Sequence, residues 1–308
     1  MKLTGGMELK RCTVRVVMYV SVLGMVALLG LATSTFADFR GAYGPENWSS
    51  VVLSGPLNVA IDPAAGPSSS LEFSYEAPKP YNYTYRKAAF SAVATRTGTI
   101  VFDWDYYSCH SYWEKYADLW VYADGPSGVT EQHLVAFYVH DDWRCSRIFT
   151  GCASLDVTEG YEFGVKVGGK NTDSAQRLNG TVTITNFFFP VLIDIKPGSC
   201  PNSFNANGNG VIPVAILGSA DLDAADVDPS SLSFEGAAVR VKGNGSPQCS
   251  LEDVSGPLGT PDGYLDLVCH FVDDFTEGWD LGDSSATVTG NLFDGSPIAG
   301  SDSIRIVP

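Results

Sequence analysis

The most constraining feature of this chain is a hydrophobic period of two. Residues 99–106 (TIVFDWDY) put Ile100, Phe102, Trp104 and Tyr106 on one side of an extended backbone and Asp103 and Asp105 on the other. Tyr161, Phe163, Val165 and Val167 alternate in the same way with Glu162, Gly164 and Lys166, and Val182 and Ile184 alternate with threonines. Leu265, Leu267, Cys269 and Phe271 alternate with Asp266, Val268, His270 and Val272. Successive side chains of a strand point to opposite faces, so each run predicts a strand with one buried side. With 32 Gly, 17 Pro and few long helix-forming runs, the chain reads as all-β. A hydrophobic content of 44% against 18% charged residues excludes a disordered chain.

The division of the chain turns on residues 191–217 (VLIDIKPGSCPNSFNANGNGVIPVAIL). Two β-branched apolar runs, 191–195 and 211–217, flank a spacer of Pro, Gly, Ser and Asn, which predicts two strands and a loop. Pro213 cannot donate to a ladder, so the second strand is expected at a sheet edge. The expected architecture is two β-sandwich domains in tandem, a jelly-roll-like domain at 38–189 and an Ig-like one at 190–308, after a leader at 1–37. That leader has a short basic start, an apolar run at 16–32 and the small-x-small pattern Thr35-Phe36-Ala37, the pattern of a secretory signal peptide. An uncleaved anchor is the alternative, because the run is just long enough to approach a membrane span. The expected location is extracellular or at the cell surface, with no membrane contact after cleavage.

A net charge of −16 repels phosphate backbones, so nucleic acid is excluded as a partner. Export permits disulfides. Beyond the leader, Cys109, Cys145 and Cys152 lie in the first half and Cys200, Cys249 and Cys269 in the second. That division predicts one bridge and one odd thiol in each half. Cys145 with Cys152 closes a short loop, and Cys109 with either of them is the alternative. Cys269 falls on the core face of its strand and behaves as a small hydrophobe, which leaves Cys200 and Cys249 as the second bridge. No C-x-x-C occurs, so zinc-ribbon and c-haem readings fail.

The candidate ligand site is the aromatic stretch 106–116 (YYSCHSYWEKY). Tyr107, His110, Tyr112, Trp113 and Tyr116 have the chemistry of a sugar-binding platform, with ring faces for C–H surfaces and polar tips for orientation. Covering the open end of a sandwich is the plainer role for the same residues. His133, His140, Asp141 and Asp142 read as solvated loop residues, since no H-E-x-x-H, G-x-S-x-G or phosphate loop accompanies them.

The motifs GAYGPENW (41–48), GTIVFDWDY (98–106) and GTVTITNFFFP (180–190) together resemble a β-sandwich module of exported bacterial proteins that occurs beside cell-surface sorting signals. The second half is more specific. IDIKPGSCPNSFN, GVIPVAILGSADLDAADVDPSSLSFEG, DGYLDLVCHF and TGNLFDGSPIAGSDSIRIV follow in order the pattern of a widespread bacterial extracellular module. The resemblance implies an appended, non-catalytic β-sandwich. It also implies a calcium loop of the form D-x-N-x-D-G-x-x-D, here altered so that Asp253 stands nine residues before Asp262. Asp253, Asp262, Asp266 and the Tyr264 carbonyl are its candidate ligands, against the plainer reading of an acidic turn.

The expectation is therefore a secreted, non-catalytic adhesion or binding protein of the cell surface or matrix, calcium-stabilised, with an extracellular polysaccharide as partner. Two other classes compete. One is a carbohydrate-active enzyme using Asp103, Asp105 and Glu114, or His110 with Tyr107. The other is a structural subunit that self-associates through edge strands.

Overall fold

The alternating runs become strands, except that Tyr161 and Leu265, expected on core faces, stand exposed just before the strands at Glu162–Asn171 and Asp266–Asp273. Asp266 and Val268, of the expected outer row, are buried. The computed structural model describes residues 39, 41–63, 70–78, 84–110, 114–140, 146–171, 178–205, 210–254, 261–273, 279–280 and 282–307. Strands of the first half are β1 (Ser49–Ser54), β2 (Asn58–Pro63), β3 (Ser70–Glu76), β4 (Arg86–Val93), β5 (Gly98–His110), β6 (Glu114–Ala123), β7 (Thr130–His140), β8 (Ser146–Val157), β9 (Glu162–Asn171) and β10 (Leu178–Pro190). Those of the second are β11 (Ile193–Ile195), β12 (Ser203–Asn205), β13 (Gly210–Ile216), β14 (Ser233–Phe234), β15 (Ala237–Ala238), β16 (Cys249–Glu252), β17 (Asp266–Asp273), β18 (Ser285–Asn291), β19 (Pro297–Ser303) and β20 (Arg305–Val307). Among the described residues the only helices are three-residue 3-10 turns, and none is long and apolar enough to cross a membrane.

The first half is a sandwich. One sheet runs β1-β4-β9-β6-β7, and the facing sheet runs β2-β3-β10-β5-β8. Between them lie Leu71, Phe73, Tyr75, Ile100, Phe102, Trp104, Tyr106, Val182 and Ile184 from one side and Ala88, Phe90, Ala92, Ala117, Leu119, Val121, Phe163, Val165 and Val167 from the other. Large rings on the second sheet meet small residues on β4 and β6, as close packing at constant sheet separation requires. The 41–48 segment forms two 3-10 turns that insert Tyr43 and Trp48 into this core, with Trp48 5.0 Å from Phe73 and Tyr43 5.1 Å from Phe187, centroid to centroid.

β10 leaves the first sandwich and enters the second half. Its residues 178–185 pair with β3 and β5, and Phe189 and Pro190 then pair in parallel with Ile298 and Ala299 of β19. The change occurs at an irregularity after Thr185, where Asn186 has φ 51°. Asn tolerates this left-handed conformation better than most residues, and its amide donates to Asp103 Oδ2 at 2.7 Å. The expected boundary at 189/190 thus falls at the end of a shared strand. Through β19 the sheet continues to β18, β14 and β15, while β11-β13-β17-β16 and β12-β20 form the other sheets of the second half. Asp294-Gly295 makes the expected turn between β18 and β19, with Gly295 at φ 86°.

Two expectations are corrected here. β13 is interior, between β11 and β17, although it carries Pro213. The proline is tolerated because Lys196, just past the end of β11, donates to the Pro213 carbonyl and turns its own carbonyl to Ser199 N, while His270, opposite Pro213 on β17, bonds instead to Gln248 and Arg240. No ladder bond is lost for want of the missing N–H. The second-half disulfide joins Cys249 to Cys269, and Cys200 is an exposed free thiol. The β16–β17 register sets Cys249 directly opposite Cys269 with their Cα atoms 4.2 Å apart, so the residue taken as a buried hydrophobe is a bonded one. In the first half Cys109 and Cys152 are each in a disulfide. They lie opposite Ser146 and Asp103 respectively, six rows or ~20 Å apart, so they are not bonded to each other. Cys145 lies outside the described residues, and the expected Cys145–Cys152 bridge with it.

Candidate functional site

β6 carries two interleaved rows. Ala117, Leu119, Val121 and Ala123 are buried against the facing sheet. Tyr116, Asp118, Trp120 and Tyr122 therefore point the other way, onto the outer face of the five-stranded sheet. Strand register extends this row sideways. Tyr116 lies between Tyr138 and Lys170, Trp120 between His133 and Lys166, and Tyr122 between Glu131 and Gly164. Asp118 has Gly168 beside it, and Lys87 stands one strand further on.

The side chains of this face touch one another. Tyr116 and Tyr138 rings are 4.6 Å apart, and Trp120 stacks on His133 at 4.5 Å with 12° between planes. Lys87 Nζ sits 3.9 Å from the Trp120 ring centroid, Lys166 Nζ 3.9 Å from that of Tyr122, and Lys170 Nζ 4.6 Å from that of Tyr116. Each such contact contributes ~0.5–1 kcal/mol at an exposed site. Asp118 accepts from the Tyr85 hydroxyl at 2.5 Å and from His133 Nε2 at 2.9 Å. Gly168 makes the first of these possible, because a Cβ there would stand 2.4 Å from the Tyr85 hydroxyl oxygen. Burial, then the hydrogen bond and charge of Asp118, hold the Tyr85 phenol well above its ordinary range. Glu131 accepts from Lys166 at 2.7 Å and lies 3.7 Å from Lys87. Burial pushes its carboxyl up, but the Lys166 bond and the charges of Lys166, Lys87 and His133 outweigh that and leave it below the usual carboxylate range. Rings, ammonium groups, a carboxylate pair and an imidazole on one flat face can recognise a polyhydroxylated chain through C–H/ring contact and directed hydrogen bonds.

The stretch 106–116 does not make one platform. Tyr116 belongs to the face just described, whereas Tyr107 is exposed on the outer side of the opposite sheet, between Ile148 and Thr181. His110 turns inward and is 1% exposed, which corrects its reading as a ligand-binding or catalytic group. Its Nδ1 is 2.5 Å from the Tyr116 carbonyl and so must carry the proton. Nε2 then accepts from the Tyr75 hydroxyl at 2.7 Å, and Tyr75 in turn accepts from Tyr106 at 2.6 Å. Tyr112 and Trp113 lie outside the described residues. His133, expected in a loop, is on strand β7 and part of the outer face. The side chain of His140, at the end of the same strand, and residues Asp141 and Asp142 are outside the description. Of the enzyme candidates, Asp103 and Asp105 sit on the outer side of the opposite sheet, Asp103 bonded to Asn186, and the side chain of Glu114 is not described.

In the second half Asp253 does fold back on the 262–266 turn. Its two oxygens accept from the N–H groups of Asp262 and Gly263, at 3.2 and 3.1 Å. Asp262 accepts from Tyr264 N, and Asp266, 2% exposed, accepts from Gly218 N and Val254 N. These carboxylates are engaged with backbone donors, and no group of three or more His, Cys, Asp or Glu is placed to hold a metal among the described residues. The arrangement is that of an acidic turn, and an ion would have to displace those N–H groups.

A cleft of about 1580 Å³ lies at the junction of the two halves. Arg96 crosses it, donating to the Asp221 carbonyl at 2.5 Å, and the Thr95 and Ser296 hydroxyls meet at 2.7 Å.

No family model and no curated protein matches the chain. Solved structures that match part of the chain include the CBM22-1 and GH10 modules of an endo-1,4-beta-D-xylanase of Clostridium thermocellum, solved with xylohexaose. The match has 9% identity and a TM-score of 0.25, over 46% of this chain and 26% of that one. A family 28 carbohydrate-binding module specific for non-crystalline cellulose matches at 12% identity and TM-score 0.29, over 53% of this chain and 99% of the module. The cleaved adhesin domain of Lys-gingipain from Porphyromonas gingivalis matches at 16% identity and TM-score 0.23, over 47% of this chain and 95% of that one. This chain spans only about a quarter of the xylanase chain. At such scores function has to be argued from the side chains themselves.

Proposed function

We propose that the chain is a secreted, non-catalytic binding protein of the cell surface or matrix that holds a polysaccharide on the outer face of the five-stranded sheet. The observation that supports this reading is the row Tyr116, Asp118, Trp120, Tyr122 with its neighbours Tyr138, His133 and Lys170, turned away from the core of a strand whose other row fills it. Three aromatic rings that keep solvent exposure on one side, Tyr116, Trp120 and Tyr138, with Tyr122 buried at the end of the row, are more than a solvated sheet needs, and exposed contiguous aromatic surface marks binding sites. The test is affinity electrophoresis of the full chain against a polysaccharide panel, with Trp120→Ala and Tyr107→Ala beside it. Retardation by at least one polymer, lost in Trp120→Ala and kept in Tyr107→Ala, is expected. Retardation by none would end the reading, and release of reducing sugar would move it to an enzyme.

Secretion by the 1–37 leader, and the identity of the second half as an appended extracellular module, belong to the same proposal. So does calcium binding at the 253–266 turn. A melting temperature that rises with calcium over chelator, and no longer does so in Asp262→Ala, would support it; no rise would remove it.

One observation favours a second reading, self-association. Among the described residues β1 pairs on one side only; it has no charged residue and exposes Val51, Val52 and Leu53 in succession. Such an unguarded edge invites another strand. A mass that doubles with concentration in the wild type and stays monomeric in Val51→Lys would establish it; a monomer throughout would exclude it.

A further inference from the structure

The outer face of the five-stranded sheet has a charge pattern that narrows its ligand, an inference that rests on the polysaccharide reading above. The chain has 35 acidic and 19 basic side chains, yet three lysines gather here over three of the face's aromatic rings. The face also carries carboxylates, Asp118, Glu131 and, beside Tyr122 on the Lys166 row of β9, Glu162. Asp118 is engaged by Tyr85 and His133, and Glu131 is shared by Lys166 and Lys87. Lys170 has no carboxylate partner among the described residues.

Lys87 and Lys170 lie over partly exposed rings that a sugar would use, Trp120 and Tyr116, while Lys166 covers Tyr122, which is 5% exposed. A neutral sugar stacking on Tyr116 must push Lys170 off the ring and leave it with nothing in exchange, whereas Lys166 keeps Glu131 in either case. A sugar bearing a carboxylate offers the ammonium a better partner at the moment it takes the ring. Stacking and ion pairing then help each other. Lys166 and Lys170 are four residues apart on β9, ~13 Å at strand rise, and Lys87 is on the neighbouring strand. That spread suits a polymer with recurring charges rather than a single small anion. The acidic remainder of the chain opposes it weakly, because charges beyond ~8 Å are screened at physiological ionic strength.

We infer that this face binds a uronate-bearing polysaccharide, its carboxylates taken by Lys87, Lys166 and Lys170 and its sugar faces by Tyr116 and Trp120. The experiment measures binding of the full chain to polygalacturonate, to the same polymer fully methyl-esterified, to neutral xylan and to dextran sulfate. Polygalacturonate is expected to bind at least tenfold more tightly than its ester or xylan. Lys166→Gln with Lys170→Gln is expected to lose at least tenfold in that affinity, and Lys242→Gln, in the second half, to lose none. Lys170→Gln alone, whose ammonium lies 4.6 Å from the Tyr116 ring centroid, serves if the double variant melts early; an unchanged affinity in it would count against the inference. Equal binding of the ester or of xylan would overturn the acidic ligand and leave the polysaccharide reading standing. Preference for dextran sulfate would overturn the carboxylate. Binding of none of the four would overturn the inference, whereas only a silent full panel would end the polysaccharide reading.

Discussion

The two outer faces of the first-half sandwich are built on the same plan and dressed differently. Both sheets bury one side of every central strand. On the β5–β10 sheet the other side carries Asp103, Asp105, Thr181, Thr183, Thr185 and Glu72, the mostly short polar and β-branched dressing of a solvated sheet, with one large apolar pair, Tyr107 and Ile148, toward its end. On the β6–β9 sheet it carries Tyr116, Trp120, Tyr122, Lys166 and Lys170, long side chains that cross strands and lie on one another. The core is satisfied equally in both cases, so the difference cannot be explained by folding. Burial says which face is structural, and the residue types on the remaining face say whether it has another use.

The largest expected effect tests the support beneath the aromatic face. Gly164→Ala would put a Cβ 1.9 Å from the Phe90 carbonyl oxygen, a backbone atom that cannot step aside. It should destabilise by ~2–4 kcal/mol in urea unfolding, whereas Thr183→Ala at the matching depth of the other face should cost under about 1 kcal/mol. Equal losses would mean the two faces are not held differently.

Next comes binding. Trp120→Ala should weaken polysaccharide affinity about 30-fold, ~2 kcal/mol, and Tyr107→Ala less than twofold, as measured by isothermal titration. Equal effects would dissolve the comparison.

A smaller effect extends the contrast to the second half, where carboxylates crowd without lysines between them. Burial first, then the charges of Asp302 and Asp266, push Asp194 up to about 6. A carboxyl raised on folding favours the native state while protonated, and that advantage is lost as pH rises from the unfolded value through about 6. Asp194→Asn should therefore raise stability at pH 7 by on the order of 1–2 kcal/mol after allowance for solvent screening, and change little at pH 4. A gain that is the same at both pH values would point to packing instead.

The smallest effect is Glu131→Gln. The lowered Glu131 carboxyl adds stability above its unfolded value that is lost as pH falls through the folded one. This half-exposed group should lose no more than about 0.5 kcal/mol at pH 7 and nothing at pH 3. Its effect on polygalacturonate should be opposite in sign, a modest gain in affinity as two lysines are released.

Much of the fold was legible because alternation is a local signal. The faces assigned to Phe102, Trp104 and Tyr106, and to Phe163, Val165 and Val167, are those buried in the structure. The edge position of β13 was misjudged because a proline's missing donor matters only where the residue opposite needs it, and the turn that gives the Lys196 carbonyl to Ser199 is not written in β13. The Cys249–Cys269 bridge was missed for a related reason, since it depends on cross-strand register. On β6 the local rule points the wrong way. Given a row of Tyr, Trp and Tyr and a row of Ala, Leu, Val and Ala, hydrophobic size would bury the aromatics. The space between the sheets was already filled by Phe73, Trp104 and Tyr106, and only the small row fitted. Asp118, standing in the middle of the aromatic row, was the one residue that could have shown which way that row faces.

The continuity of β10 has a mechanical consequence for a protein expected to work outside the cell. Phe189 and Pro190 run parallel to Ile298 and Ala299, so a pull that separates the halves along the strand loads those pairs in shear. Bonds strained side by side yield together, not one after another as in a zipper. Traction on a tethered chain would then be passed from one half to the other through a single extended segment, with no slack linker to stretch first.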